Sequence, residues 1–565
     1  MSNLYEKLSA ERKELIKNGD APEWYITPGY SMVVKKYLSE GETPRQRYQS
    51  IAKIAGKIAS ELYGNSRNWE YQFFNMIWNG WVSPSTPILA NLGTDRGMSV
   101  SCEGSYVGDS VYDFYDTLKE AAVLSQNGFG TSAYMGDIRP RGSKFSDNGK
   151  ANGVVPIFEN FVEMTNQISQ GSNRRGSWAG YLEVDHDDFD ELCDKLEKEP
   201  ANLNIGWIIT DSFKIKLLSG DKDALRRYQK VLKTKMVTGK GYLWFVDDVN
   251  RQQTEPYKKN GLRNKASNLC SEITLFSDED HSYTCVLSSL NLDYYDEWKD
   301  TSTVFLATVF LDCIAEDFLR KARYVPGLER AVRYTEKARS LGLGVMGYHS
   351  YLQKKNIAWK DAGEINQEIF KDINAQALKA SRYMAKVAGS PEWCEGTGLR
   401  NTHLQAIAPT MSTALIVGGT SQGIEPYIGN IWNQTSAAGE MARINPNLLA
   451  IMKDRGVYNQ ETIDFVIEDN GSVQNVDWLD DHEKEVFKTA YEIDQELIVK
   501  HASERQPYID QGQSLNLHFD NTPPSEISRI HKIAMLDPNI KGLYYLRSRA
   551  GAKGSNGKTV RKENV

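Results

Sequence analysis

Short apolar or β-branched runs recur along the chain, among them TPILAN, GYLWFV, TCVLSSLNL, LGLGVMG and GLYYL. Helical stretches of roughly 15–30 residues lie between them, the spacing at which helices carry a chain from one parallel strand to the next. The expected fold class is therefore α/β with a largely parallel sheet. No internal repeat and no low-complexity linker divides the 565 residues. The chain reads as one large layered domain, although it exceeds the roughly 250–300 residues of a usual single core. Residues 1–80 are expected to form a helical N-terminal region, 81–550 the sheet domain, and 551–565, glycine-rich, polar and basic, a flexible tail.

Two amphipathic helices are legible in detail. Ile51, Ile54, Ala55, Ile58, Ala59 and Leu62 fall at helical spacing between Arg45 and Gly64, with the glycine as a stop. A second unit starts at Pro156, where proline costs nothing in a first turn, and carries Phe158, Phe161, Met164 and Ile168. The N-terminus is charged throughout and is no signal peptide, and no apolar run is long enough to span a bilayer. Lysine plus arginine (67) against aspartate plus glutamate (74) leaves a net charge of −7, so no basic field offers itself to a polynucleotide. Six cysteines without a CxxC fit neither a disulfide framework nor a zinc ribbon. They suit a reducing cytoplasm, that of the host if the chain is viral.

Ser267-Asn268-Leu269-Cys270-Ser271-Glu272-Ile273 is the most informative segment. On a helix Asn268 and Glu272 share a face and Cys270 points away. On an extended segment or loop tip all three face one side, converging an amide, a thiol and a carboxylate. A partly desolvated carboxylate raises a neighbouring thiol's pKa and keeps the S–H neutral. That handicaps a thiolate nucleophile and suits a thiol that gives up a hydrogen atom. Spacing alone also allows, and for a free cysteine more often means, a small buried apolar side chain flanked by polar neighbours.

The stretch Asn268–Ile273 resembles the radical-cysteine loop of the large (α) subunit of ribonucleotide reductase. Cys102, preceded by Ser101 and followed by GSYVGDS, resembles the first cysteine of that family's active-site dithiol, and Cys285 in TCVLSSLNL the second. SPSTPILAN places Thr86 at a phosphate-binding position, and Ala408–Ala414 followed by GTSQGIEP resembles a second phosphate turn. PYIDQGQSLNLHF and GLYYLRSRA match the family's C-terminal part, so the resemblance covers roughly residues 70–550.

The resemblance implies a fold and a set of roles. The fold would be a ten-stranded α/β barrel of two parallel five-stranded halves with a central finger loop. A thiyl radical on Cys270 would abstract the 3′ hydrogen of a ribonucleotide, with Glu272 as base and Asn268 orienting the substrate. Cys102 and Cys285 would supply two electrons and end as a disulfide. Substrate binding would involve Thr86, Ser101, Gly128, Pro409, Thr410, Met411, Ser412 and Thr413. Asp109 and Arg139 would contact a deoxynucleotide or ATP effector, and with that site comes a homodimer.

Tyr544 and Tyr545 resemble the tyrosine pair that relays a radical from a metal-containing small (β) subunit. A strand with one ring inward and one outward would account for the pair equally simply. The expectation is the small-subunit-dependent class, with the adenosylcobalamin-dependent class and a catalytically inactive nucleotide-binding homologue as alternatives. No repeated ExxH pair occurs, so the chain itself is expected to bind no metal. Residues 1–60 lack the family's ATP-cone pattern, and no cysteine follows Cys394. The active-site disulfide is then expected to be reduced by thioredoxin or glutaredoxin directly, or through cysteines on the partner subunit. Cys193, Cys313 and Cys394 lie outside the motifs, and Cys313 reads as core. Gly342–Gly347 fits GxGxxG, but the charged helical stretch before it rules out a dinucleotide site.

Overall fold

Thr43 opens the long N-terminal helix with a reciprocal cap. Its hydroxyl accepts the Gln46 N–H at 3.3 Å while Gln46 Oε1 accepts the Thr43 N–H at 2.9 Å. The helix runs Pro44–Tyr63, buries Ile51, Ala55, Ile58 and Ala59, and ends at Gly64 in a positive-φ conformation. It packs on helix Trp69–Trp78. The second legible helix begins at Val154 and holds Pro156 in its first turn. The computed structural model describes residues 2–100, 102–147, 149–170, 174–436 and 439–549, so Ser101 and the 551–565 tail lie outside the described residues.

Nine strands form the main sheet: β1 (Val82–Pro84), β2 (Cys102–Tyr106), β3 (Gly130–Tyr134), β4 (Trp178–Glu183), β5 (Ile205–Ile209), β6 (Tyr242–Phe245), β7 (Tyr283–Asn291), β8 (Leu341–Met346) and β9 (Gly542–Leu543). β2 to β6 are parallel neighbours in chain order. All residues of β3, β5 and β6 are buried, as expected of parallel strands covered on both faces. β7 runs antiparallel to β2 and β1, β8 lies parallel along its other edge, and β9 closes antiparallel on β6.

The ten-stranded barrel of two parallel five-stranded halves is therefore corrected to an open, mixed, nine-stranded sheet with one parallel five-strand run. The segment around 404–407 touches the sheet through a single bridge, Leu343 to Gln405, and the segment around 511–514 touches 404–407 through another, Ile407 to Gln513. Side chains take backbone groups there that a ladder would otherwise use. Asp510 accepts the N–H groups of Leu404 and Gln405 at 2.8 and 2.9 Å, and Gln511 Oε1 accepts that of Thr274 at 3.2 Å.

A buried polar knot ties the scaffold together. Asp312, fully buried on helix Thr303–Ala322, accepts from Arg339 Nε at 2.8 Å, Arg400 Nε at 3.1 Å and Asn401 Nδ2 at 2.8 Å, and also from the Tyr63 hydroxyl. It joins the N-terminal helix to the entry of β8 and to the segment that follows residue 400. Cys313, on the same helix, is core, as are Cys193 and Cys394.

Candidate active site

Residues 262–278 belong to no strand or helix and form a loop that bonds β2 and β4 of the sheet through Asn268. Its tip is a tight turn: Ser271 N–H donates to the Asn268 carbonyl at 3.3 Å, and Ser271 adopts φ 62°, a left-handed conformation for a non-glycine residue. Asn268 Oδ1 accepts the N–H groups of Glu272 and Ile273 at 3.1 and 3.2 Å, fastening the turn from inside. Tyr181, from β4, donates its hydroxyl to the Asn268 carbonyl at 2.6 Å. The amide, thiol and carboxylate are thus brought together by a turn, without the period-two alternation of a straight segment.

Glu272 is 1 % exposed, and burial raises its carboxyl to about 7 despite the hydrogen bonds from its own backbone, Asn268 and Ser514. Ser514 Oγ stands 2.8 Å from the Cys270 carbonyl and 3.0 Å from Glu272 Oε2. A hydroxyl has one proton to give. A protonated Glu272 can donate to Ser514 while Ser514 donates to Cys270, whereas the carboxylate competes for that single proton. Cys270 itself is half-buried.

Cys102 and Cys285 are Cα partners across the β2–β7 ladder. Directly opposed residues in an antiparallel pair lie about 4.5–5.5 Å apart, inside the roughly 4.4–6.8 Å that a disulfide spans. Asn268 Nδ2 donates to Cys102 Sγ at 3.5 Å, and Gln511 Nε2 donates to Cys285 Sγ at 3.4 Å and to the Leu341 carbonyl at 2.8 Å. Burial pushes the Cys285 thiol well above its usual range. Gly342 gives this thiol its room, since a Cβ there would stand 2.9 Å from Cys285 Sγ and 2.3 Å from Leu287 Cδ2. Of the GxGxxG glycines, Gly342 serves packing against the dithiol strand and Gly344 the close approach of the Ala406 carbonyl.

Tyr544 Oη lies 3.5 Å from Cys270 Sγ, and the Tyr544 and Tyr545 ring centroids are 4.0 Å apart. Tyr544 is buried and Tyr545 half-buried, with the exposed Arg547 guanidinium 4.2 Å from the Tyr545 ring centroid. The pair therefore leads from the loop thiol toward the surface.

The remaining candidates divide in two. Thr86 opens a short helix just after β1, whose antiparallel pairing directs it toward the Cys285 end of β7. Pro409 and Thr410 precede helix Met411–Ile416, which carries Ser412 and Thr413, and Thr410 Oγ1 accepts the Gly423 N–H at 2.8 Å. This turn joins the loop site through Ile407, whose backbone bonds Gly512 and Ser514 at 3.0 and 2.9 Å. Gly128, at φ 96°, precedes β3 on the Cys102 side. Asp109 and Arg139 are ion-paired with each other beyond the opposite end of β2, a strand whose five residues span roughly 13 Å. The structure does not bring them to the thiols.

Sequence reasoning missed Ser514, Gln511, Tyr181 and Tyr242. Ser514 and Gln511 stand in the PYIDQGQSLNLHF stretch, where polar residues inside an apolar run were the available signal. Tyr242, whose ring centroid lies 4.8 Å from that of Tyr544 and 5.5 Å from that of Tyr545, sat unremarked in GYLWFV. Among the described residues no three His, Cys, Asp or Glu side chains gather as a metal site, and no helix is long and apolar enough to cross a membrane.

Comparison with known proteins adds the following. The family profile described as "Ribonucleotide reductase, barrel domain" matches residues 100–227, 222–397 and 391–546, and "Ribonucleotide reductase, all-alpha domain" matches 28–97. A solved structure, the Actinobacillus ureae class Id ribonucleotide reductase alpha subunit, is similar at 37 % identity and a TM-score of 0.86, over 93 % of this chain and 97 % of that one. A Frog virus 3 (isolate Goorha) protein provisionally named as a ribonucleoside-diphosphate reductase large subunit is 33 % identical over 529 residues, 89 % of this chain and 92 % of its own length. The Invertebrate iridescent virus 3 ribonucleoside-diphosphate reductase large subunit is 29 % identical over 92 % of this chain and 93 % of its own.

Proposed function

Because the chain belongs to the ribonucleotide reductase family, as a class I-like catalytic subunit for deoxyribonucleotide synthesis, we propose that Cys270, Glu272, Asn268, Cys102 and Cys285 are its reacting set. Cys270 as a thiyl radical takes the 3′ hydrogen of the ribose and becomes a thiol. Glu272 draws the 3′-hydroxyl proton, the 2′-hydroxyl leaves as water, and Cys102 and Cys285 give two electrons and two protons, forming one S–S bond. Cys270 then returns its hydrogen to C3′ and is a radical again, and Glu272 returns its proton to the 3′ oxygen. The observation that carries this reading is that one loop turn sets Cys270 beside Tyr544 while its Asn268 reaches Cys102, the ladder partner of Cys285.

Membership of the class I-like group brings a radical-generating small subunit as partner. Tyr544 and Tyr545 relay the radical from it. The two rings, 4.0 Å apart between centroids and lying between the half-buried thiol and the surface, support this. The substrate is a ribonucleoside diphosphate, in keeping with the names of the viral relatives. Its phosphates lie at Thr86 and the Pro409–Thr413 turn, where first-turn N–H groups without intrahelical partners favour an anion, and Ser101 and Gly128 complete the substrate-binding set. A deoxynucleotide or ATP effector binds at Asp109 and Arg139. Exposed Val111, Tyr112 and Tyr115 on the adjacent helix support a homodimer there. Thioredoxin or glutaredoxin, or partner cysteines fed by them, reduces the dithiol in the cytoplasm.

The test is deoxyribonucleotide formation with the small subunit and a dithiol reductant, wild type against Cys270→Ser. Loss of product in the variant is expected. Undiminished product would overturn the radical assignment.

A further inference from the structure

Neighbouring residues of a β-strand point to opposite faces, so adjacent tyrosines in a continuous strand do not stack. Here the strand is interrupted. β9 ends at Leu543, pairing resumes at Leu546–Ser548 against Leu517–Phe519, and Tyr544 and Tyr545 lie between. The outer backbone groups of the interruption still find main-chain partners: Tyr544 N–H donates to the Leu515 carbonyl at 2.8 Å, and the Tyr545 carbonyl accepts from Leu517 N–H at 3.1 Å. The peptide between the two rings is held by side chains instead. Its carbonyl, on Tyr544, accepts from Lys235 Nζ, and its N–H, on Tyr545, donates to Asn516 Oδ1 at 2.9 Å.

Both side chains are costly choices for the interior. Lys235 is 0 % exposed, and its other bonded partner is the Gly241 carbonyl at 3.0 Å. Burial, with repulsion from Arg547, lowers its ammonium to about 7. Asn516 is 5 % exposed and spends its amide on Glu425 Oε1 at 2.6 Å. Glu425 follows closely on Gly423, whose N–H closes the Thr410 turn. A buried lysine facing carbonyls and no carboxylate is hard to explain as filler, because an apolar chain of the same length avoids the desolvation cost.

We propose that Lys235 and Asn516 form a two-sided clamp on the Tyr544–Tyr545 peptide that sets the close, tilted contact of the two phenols, so that both are positioning residues for radical transfer. This rests on the relay reading given above. The clamp also joins two parts of the reaction, since Asn516 spans from the tyrosine peptide to the segment that closes the phosphate turn.

Lys235→Met and Asn516→Leu remove the donor and the acceptor at nearly constant volume. Each is assayed as the whole subunit with the small subunit, nucleotide and dithiol reductant, and each is crystallised. A clamp predicts kcat lower by about 10- to 100-fold, the cost of misplacing reacting groups by an ångström or so. It also predicts KM within about twofold, unchanged thermal unfolding, and rings moved beyond their 4.0 Å separation. A folded variant with the ring centroids still 4.0 Å apart and wild-type kcat overturns the clamp. Rings moved apart with full turnover would leave the clamp standing as geometry and overturn the relay reading instead. Should Lys235→Met fail to fold, Asn516→Leu, which keeps the lysine, carries the same test.

Discussion

Cys102 on β2 and Cys285 on β7 face each other as direct partners of an antiparallel ladder, held from either side by Asn268 and Gln511. The bond between them can therefore form without backbone movement. One turnover without external reductant is expected to remove two of the six titratable thiols, and the loss should vanish in Cys285→Ser. Thiol counting under denaturing conditions before and after substrate addition checks this; six thiols after turnover would refute the pairing.

Glu272 is raised from 4.5 to about 7 by burial, so turnover that needs its carboxylate should rise with pH through about 7. Glu272→Gln should lower kcat by about 10²- to 10⁴-fold and flatten that limb. The stability consequence has the opposite sense. Between pH 4.5 and 7 the folded state holds more protons than the unfolded one, so this group's contribution to stability is present below 4.5 and lost as pH rises through 7. Relative to wild type, the Gln variant should gain on the order of 3 kcal/mol between pH 4.5 and pH 8. Urea midpoints at the two pH values measure it.

Gly342 leaves no room for a side chain beside Cys285. Gly342→Ala is expected to cost roughly 1–3 kcal/mol by overpacking and to displace the Cys285 sulfur. Thermal unfolding reads the first effect and the rate of Cys102–Cys285 oxidation the second. Unchanged values of both would show that the strand relaxes freely.

Asp312 carries the largest single stability prediction. Burial alone would raise its pKa, but the Arg339 and Arg400 charges and their hydrogen bonds outweigh it and hold the carboxyl well below the usual range. Asp312→Ala leaves the buried Arg400 guanidinium without a carboxylate and Arg339 with Glu316 alone, and should cost roughly 3–5 kcal/mol. A depressed folded pKa means the contribution is full above the unfolded value of about 3.9 and fades as the pH falls below it. The wild-type advantage in urea denaturation should therefore shrink in acid, and a constant advantage would count against the ion pairs.

The two amphipathic helices and the alternation of helices with short strands were legible because each depends on nearby residues, whereas the parallel barrel was not what formed. Gly64 stops its helix, Thr43 and Gln46 cap it, and Asn268 closes a turn within five positions, all by short-range geometry. Polar segments hid the strand count. Nothing in 404–407 or 511–514 told that Asp510 and Gln511 would satisfy backbone groups in place of a sixth and seventh parallel neighbour. Lys235 was equally silent, because its partner stands 309 positions away.

The amino-acid order by itself determined which groups are present for chemistry: three thiols, one carboxylate, one amide and a tyrosine pair, each in a local stretch that resembles one family's motif. Tertiary structure decided the distances between them. The dithiol exists as a pair only because β7 returns antiparallel to β2, and the two phenols meet at a break in the strand where Lys235 and Asn516 bond the peptide between them. Local patterns record backbone preference over a few residues, whereas hydrogen-atom and electron transfer depend on contacts that the chain makes by closing on itself.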